Sequence, residues 1–127
     1  MKDITIIIPE GGGAVPELWE ALEAAAIDVE AAISFSREHH RVIHIVIADT
    51  AAQEAADVLV DSGYLIVDRR DVLVLDLAEN GGLASITRTA YIANAGVYLL
   101  SLATGNRVML GVANLAAARE AFGLATG

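Results

Sequence analysis

The chain has 127 residues, 55% apolar, 20% charged and 5% aromatic, which suits one compact domain or two very small units sharing a core and excludes a natively disordered tail. Seventeen acidic side chains against eight basic ones leave a net charge of -9, so a DNA or RNA backbone is repelled before short-range contacts form. There is no cysteine, no apolar run approaching the roughly 20 residues that cross a bilayer, and only a poor leader after Lys2 and Asp3, so the expectation is a cytoplasmic chain without disulfides or membrane span.

Asp3 to Glu10 is a β-branched run of strand length, ended by Pro9 and then Gly11, Gly12 and Gly13. A helix follows, because Pro16 suits its first turn, Glu17 and Glu20 favour the positive end of its dipole, and Leu18, Leu22, Ala25 and Ala26 recur at helical spacing. Ile27 opens a second strand reaching about Ser36. Arg37, Glu38, His39 and His40 make a hairpin turn, and Val42 to Ala48 forms the third strand. Asp49 or Thr50 can cap a helix from about Ala51 to Asp61, Gly63 suits its left-handed exit, and Tyr64 to Val67 is a fourth strand. The order is βαββαβ.

Beyond Asp68, Arg69, Arg70 and Asp71 the order starts again. Val72 to Leu77 reads as strand, Asn80 to Gly82 as turn, Leu83 to about Asn94 as helix, Val97 to Ala103 and Val108 to Ala113 as a strand pair joined through Thr104 to Asn106, and Leu115 to Phe122 as a short helix. Arg41, Val42, Asp49, Ala51 and Ala52 correspond to Arg107, Val108, Asn114, Ala116 and Ala117 at an offset of about 65 residues, which marks a duplication. The expected division is therefore 1–70 and 71–127, with the second copy lacking its last strand. Tyr64 to Val67 and Val72 to Leu77 form either one long strand serving both copies or two strands kinked at Arg69 and Arg70.

Two right-handed crossovers put both helices of a βαββαβ unit on one sheet face. Yet Ile4 to Ile8, Val42 to Ala48, Val72 to Leu75 and Val97 to Leu100 are apolar on both parities, as in strands covered on both sides. At roughly 25 cal/mol per Å², a few hundred Å² of such surface is worth several kcal/mol, so a homodimer or higher even-numbered assembly is expected, held mainly by sheet faces or edges.

The loops carry a resemblance. Asn80, Gly81, Gly82, Leu83 and Ala84, then Asn94, Ala95, Gly96, Val97, Tyr98 and Leu99, resemble the strand-to-helix loop and second-strand entry of the ACT domain, and Gly12 to Pro16 with Ala25 to Val29 form the looser first copy. The chain thus resembles a tandem ACT protein of the amino-acid-binding regulatory type, α+β and ferredoxin-like in fold. The resemblance implies a small amino acid or related metabolite held at glycine-rich loops where units meet. Its contacts would be Gly12, Gly13, Ala14 and Val15 in the first loop and Asn80, Gly81, Gly82 and Leu83 in the second. Glycines there let backbone approach a ligand, helix-start amides attract a carboxylate, and Asp28 could pair with an α-ammonium group.

Competing chemistries find less support. The Gly11 to Gly13 loop lacks the Lys-Ser/Thr of a P-loop and the spacing of G-x-G-x-x-G. His40 and His44 share a strand face, but about 13 Å separates them at some 3.3 Å per residue, too far for one metal ion. Trp19 beside Leu18 and Leu22 reads as packing or an oligomer contact. No serine sits in a nucleophile-elbow pattern, so neither catalysis nor a cofactor is expected. The alternative to a ligand-binding regulator is a pure dimerisation or interaction module.

Overall fold

Alternating isoleucines build the first core. In β1 (Lys2–Pro9) Ile4, Ile6 and Ile8 share one face, and in β3 (His40–Ile47) Ile43, Ile45 and Ile47 do the same. The two strands pair antiparallel with Ile4 opposite Ile45 and Ile6 opposite Ile43, which brings both sets to the same side. The computed structural model describes residues 1–12 and 14–124. The chain divides into two compact units, residues 1–70 and 71–127.

In the first unit the strand order is β2-β3-β1-β4, with β2 at Ala31–Arg37 and β4 at Leu65–Asp76. Helix α1 (Val15–Ala24) buries Leu18 and Leu22, one turn apart, against the isoleucines. Helix α2 (Ala52–Asp61) adds Ala55 and Leu59. Each fully buried Ile or Leu contributes on the order of 1.5–3 kcal/mol, so this cluster dominates the stability of the unit. The opposite sheet face carries half-buried Ile7, Ile33, Phe35 and Val42. Neither Asp49 nor Thr50 caps α2 with its side chain, because a 3-10 turn at Asp49–Ala51 intervenes and Asp49 Oδ1 lies 3.2 Å from the Met1 amino group.

The second unit repeats the plan over β4, α3 (Leu83–Ile92), β5 (Val97–Ala103), β6 (Arg107–Val112) and α4 (Leu115–Ala121), with strand order β4-β6-β5. Leu73, Leu75, Val108, Leu110 and Val112 meet Ile86, Ala90 and Ala118. No strand follows α4 among the described residues. The fold class is α+β and ferredoxin-like, as read from the residues. Of the two readings of residues 64–77, the single strand is the one formed: β4 is continuous from Leu65 to Asp76, six of its residues falling in each unit. Among the described residues, no helix is long and apolar enough to cross a membrane.

All four helices end alike. Ile27, Tyr64, Ala95 and Leu124 each donate their amide to the carbonyl five residues back, after a residue with positive φ: Ala26, Gly63, Asn94 and Gly123. This exit corrects the expected start of β2. Ile27 closes the end of α1 and is buried in the core, and the strand begins only at Ala31. Ala26, expected on the apolar stripe of the helix, lies instead in the left-handed region at φ 56. An L side chain there costs roughly 1–2 kcal/mol, partly offset by the greater entropy that glycine loses on folding. Ala26→Gly is therefore expected to stabilise the chain by about 0.5–1 kcal/mol in denaturant unfolding, and a lower midpoint would show that the exit is unstrained.

Candidate functional site

The β1–β3 register sets the geometry of the first loop. Pro9, the last residue of β1, stands opposite His40, the first of β3, so the chain leaving β1 runs beside the β2–β3 hairpin. Glu10 N donates to His39 O at 2.9 Å and Gly12 N donates to Pro9 O at 2.8 Å, folding the loop back on the strand. A Cβ on Gly12 would lie 2.8 Å from that same Pro9 oxygen, a backbone atom that cannot rotate away. Ala14, extended at ψ 145, then caps α1, and its carbonyl accepts the Tyr64 hydroxyl at 3.2 Å. Burial, with the nearby Glu17 and Glu20 carboxylates, raises the Tyr64 phenol above its ordinary value, so it stays a donor.

Loop and hairpin together bound a shallow depression of about 310 Å³. Gly11, Gly12 and Val15 form its loop side. Arg37, Glu38, His39, His40 and Arg41 form its hairpin side. Both signs of charge are therefore present around exposed glycine backbone. His39 Nδ1 lies 3.3 Å from Glu10 Oε2, and Arg41 donates to Ser34 Oγ at 3.2 Å.

Of the residues expected in the first loop, Gly12 and Val15 line the depression and Ala14 caps the helix beside it; Gly13 lies outside the described residues. Asp28 is elsewhere. It borders a hollow of about 420 Å³ with Trp19, Leu22, Glu23, Ile27, Val29 and Ala32. The basic hairpin was read from the sequence only as a turn. Its place beside the glycines was implicit in the βαββαβ order, which pairs the end of the first strand with the start of the third.

The second unit repeats the loop with different side chains. Leu77 N donates to Asn106 O at 2.8 Å, as Glu10 does to His39, but the facing hairpin is Thr104, Gly105 and Asn106. Asp76 organises the turn, accepting Glu79 N on Oδ1 at 2.8 Å and Asn80 Nδ2 on its carbonyl at 2.8 Å. One Asn80 amide hydrogen is thus committed to the turn, leaving its carbonyl oxygen and second N–H as groups a ligand could use. Gly81 and Gly82 have φ of 80 and 94, which glycine alone adopts without strain, and Gly82 delivers Leu83 to the first position of α3.

Two of the three histidines have side-chain partners, and the partners differ. His39 faces Glu10, whereas His44 Nδ1 lies 2.9 Å from Oδ2 of fully buried Asp3 and 3.2 Å from Thr5 Oγ1. Phe35 stacks on His44 with centroids 6.3 Å apart, and the Arg37 guanidinium lies 5.5 Å above Phe35. Among the described residues no group of three His, Asp or Glu side chains could hold a metal ion.

Solved structures share this fold. Protein BT0572 from Bacteroides thetaiotaomicron is 17% identical with a TM-score of 0.79, over 96% of this chain and 85% of that one. The ligand-free regulatory subunit of aspartate kinase from Thermus thermophilus is 21% identical with a TM-score of 0.66, over 95% and 92% of the two chains. The corresponding subunit from Thermus flavus is 18% identical with a TM-score of 0.64 and the same coverage. No family model and no curated protein sequence matches the chain. The chain therefore shares its fold with these structures, two of which are regulatory subunits of aspartate kinase.

The close approach at Gly12 makes a direct test of the loop geometry. Gly12→Ala is expected to lower stability by about 1–3 kcal/mol, measured by chemical denaturation, since either the Pro9 carbonyl or the loop must move. An unchanged midpoint would show that the loop is not held in this form.

Proposed function

We propose that this tandem ACT-type chain is a regulatory protein that binds a small amino acid or related metabolite at its glycine-rich loops and transmits occupancy through a homodimer or higher even-numbered assembly. The observation that supports the reading most is the depression of the first unit, where glycine backbone faces Arg37 and Arg41 while Glu10 and Glu38 stand close by. A zwitterion needs this mixture. Its carboxylate would take the guanidinium groups, and its ammonium the acidic side chains. Gly13 belongs to the same loop in this reading. Asp28 and the Asn80, Gly81, Gly82 and Leu83 loop would supply contacts where copies of the chain meet.

A regulatory role for the ligand is supported by the likeness of the fold to two regulatory subunits of aspartate kinase, over 95% of this chain. No catalytic step is assigned to any residue. A thermal-shift panel of the free amino acids tests the proposal, since a ligand specific for the folded state raises the melting temperature in a concentration-dependent way. Arg37→Gln and Arg41→Gln are expected to weaken the response by about tenfold or more in apparent affinity. No shift with any amino acid at millimolar concentration would favour the interaction module, and a full response in both variants would remove the hairpin from the site.

A further inference from the structure

The helices of the two units differ in charge. Helices α1 and α2 carry Glu17, Glu20, Glu23, Glu54, Asp57 and Asp61 and no basic residue. Helices α3 and α4 carry Arg88 and Arg119 against Glu120 alone. In a chain of net charge -9, the α3–α4 surface repels a second copy less than the acidic α1–α2 surface does.

That surface also holds the most exposed large apolar side chains described in the chain. Tyr91 is 86% and Ile92 75% exposed, adjacent in sequence and one turn beyond Arg88 on α3. Beside them lies a hollow of about 470 Å³ walled by Ile92 and Thr89 from α3, by Ala93, and by Ala117, Glu120 and Ala121 from α4. The small alanines leave room, and the lining is mostly apolar. A contact repeated by a two-fold axis must present a surface complementary to itself. Here a projecting apolar pair lies next to an alanine-lined hollow, with Arg88 one turn before that pair on α3 and Glu120 at the rim of the hollow.

We propose that the α3–α4 face is a self-association surface whose occupant is the same face of a second copy. Ile92 of one copy enters the Ala117 and Ala121 hollow of the other, and Arg88 of one meets Glu120 of the other. The contact is distinct from the sheet faces and edges expected from the strand pattern. It rests on the proposed function only for the premise that the chain assembles. Two short helices cover less area than a standard interface, so the association belongs to the weak and concentration-dependent class.

The test is sedimentation or light scattering of the full chain from about 1 μM to about 1 mM. Wild type is expected to gain a step of assembly in this range, and Ile92→Arg and Tyr91→Ala to raise the dissociation constant of that step by at least about tenfold. Because both residues are exposed, circular dichroism melts should match wild type and separate lost contact from lost fold. Arg88→Glu and Glu120→Arg should each weaken the step, and the double exchange should recover it. Unchanged assembly in the two apolar variants, no recovery in the double exchange, or a wild type that stays monomeric throughout overturns the inference. The thermal-shift response is read separately, so a lost assembly step with no ligand response leaves this surface standing and removes the ligand proposal.

Discussion

The antiparallel pairing of β1 with β3 is the constraint on which the first unit depends. Its register is set by burial: with Ile4 opposite Ile45 and Ile6 opposite Ile43, every isoleucine of the two alternating sets faces the helices. A slip of one residue would turn one set outward and forfeit several kcal/mol for each pair. The same register carries Pro9 to His40. The neighbourhood of glycine loop and basic hairpin is therefore a geometric consequence of the core, fixed at a distance from it by the strands.

Duplication preserved the backbone and let the side chains diverge. Both units fold the chain leaving the first strand back against the neighbouring hairpin with one amide-to-carbonyl bond, Glu10 to His39 and Leu77 to Asn106. All four helices use the same left-handed exit. These features are made by backbone atoms, so they tolerate substitution. Most of the charged groups did not follow. Arg37, His39 and His40 occupy a hairpin whose counterpart is Thr104, Gly105 and Asn106, Arg41 alone keeping a basic counterpart in Arg107, and the acidic helices of the first unit have nearly neutral counterparts in the second. One backbone plan thus presents two chemically different surfaces, a depression of mixed charge in the first unit and a nearly neutral helix pair in the second.

Much of the fold was legible because its signals are local. The Gly63 exit, the hairpin turn read at residues 37–40 and found at 38–39, the turn at 80–82, the strand pair read at 97–103 and 108–113 and found at 97–103 and 107–112, and the internal repeat all follow from turn chemistry and periodicity within a few residues. Where the reading failed, a longer-range interaction had won. Ile27 looked like strand because it is β-branched, but burial under α1 and the bond to Leu22 O claimed it first. Asp49 looked like a helix cap, but it meets the Met1 amino group. The candidate site was legible by halves. The glycines and Asn80 announced themselves through their conformational needs, whereas the basic hairpin carried no mark of a site until strand pairing placed it there.

The amino-acid sequence by itself determined the repeated strand and helix order, the apolar faces, the loop glycines and the acidic balance, since each is encoded in near neighbours or in composition. Only the tertiary structure decided that residues 65–76 form one strand, that Arg37 and Arg41 share a depression with Gly12, that Asp28 belongs to the Trp19 hollow instead, and that Tyr91 and Ile92 stand exposed beside an alanine-lined hollow. Those outcomes depend on which surfaces meet when cores close, and burial energy summed over distant residues outweighs any single local preference.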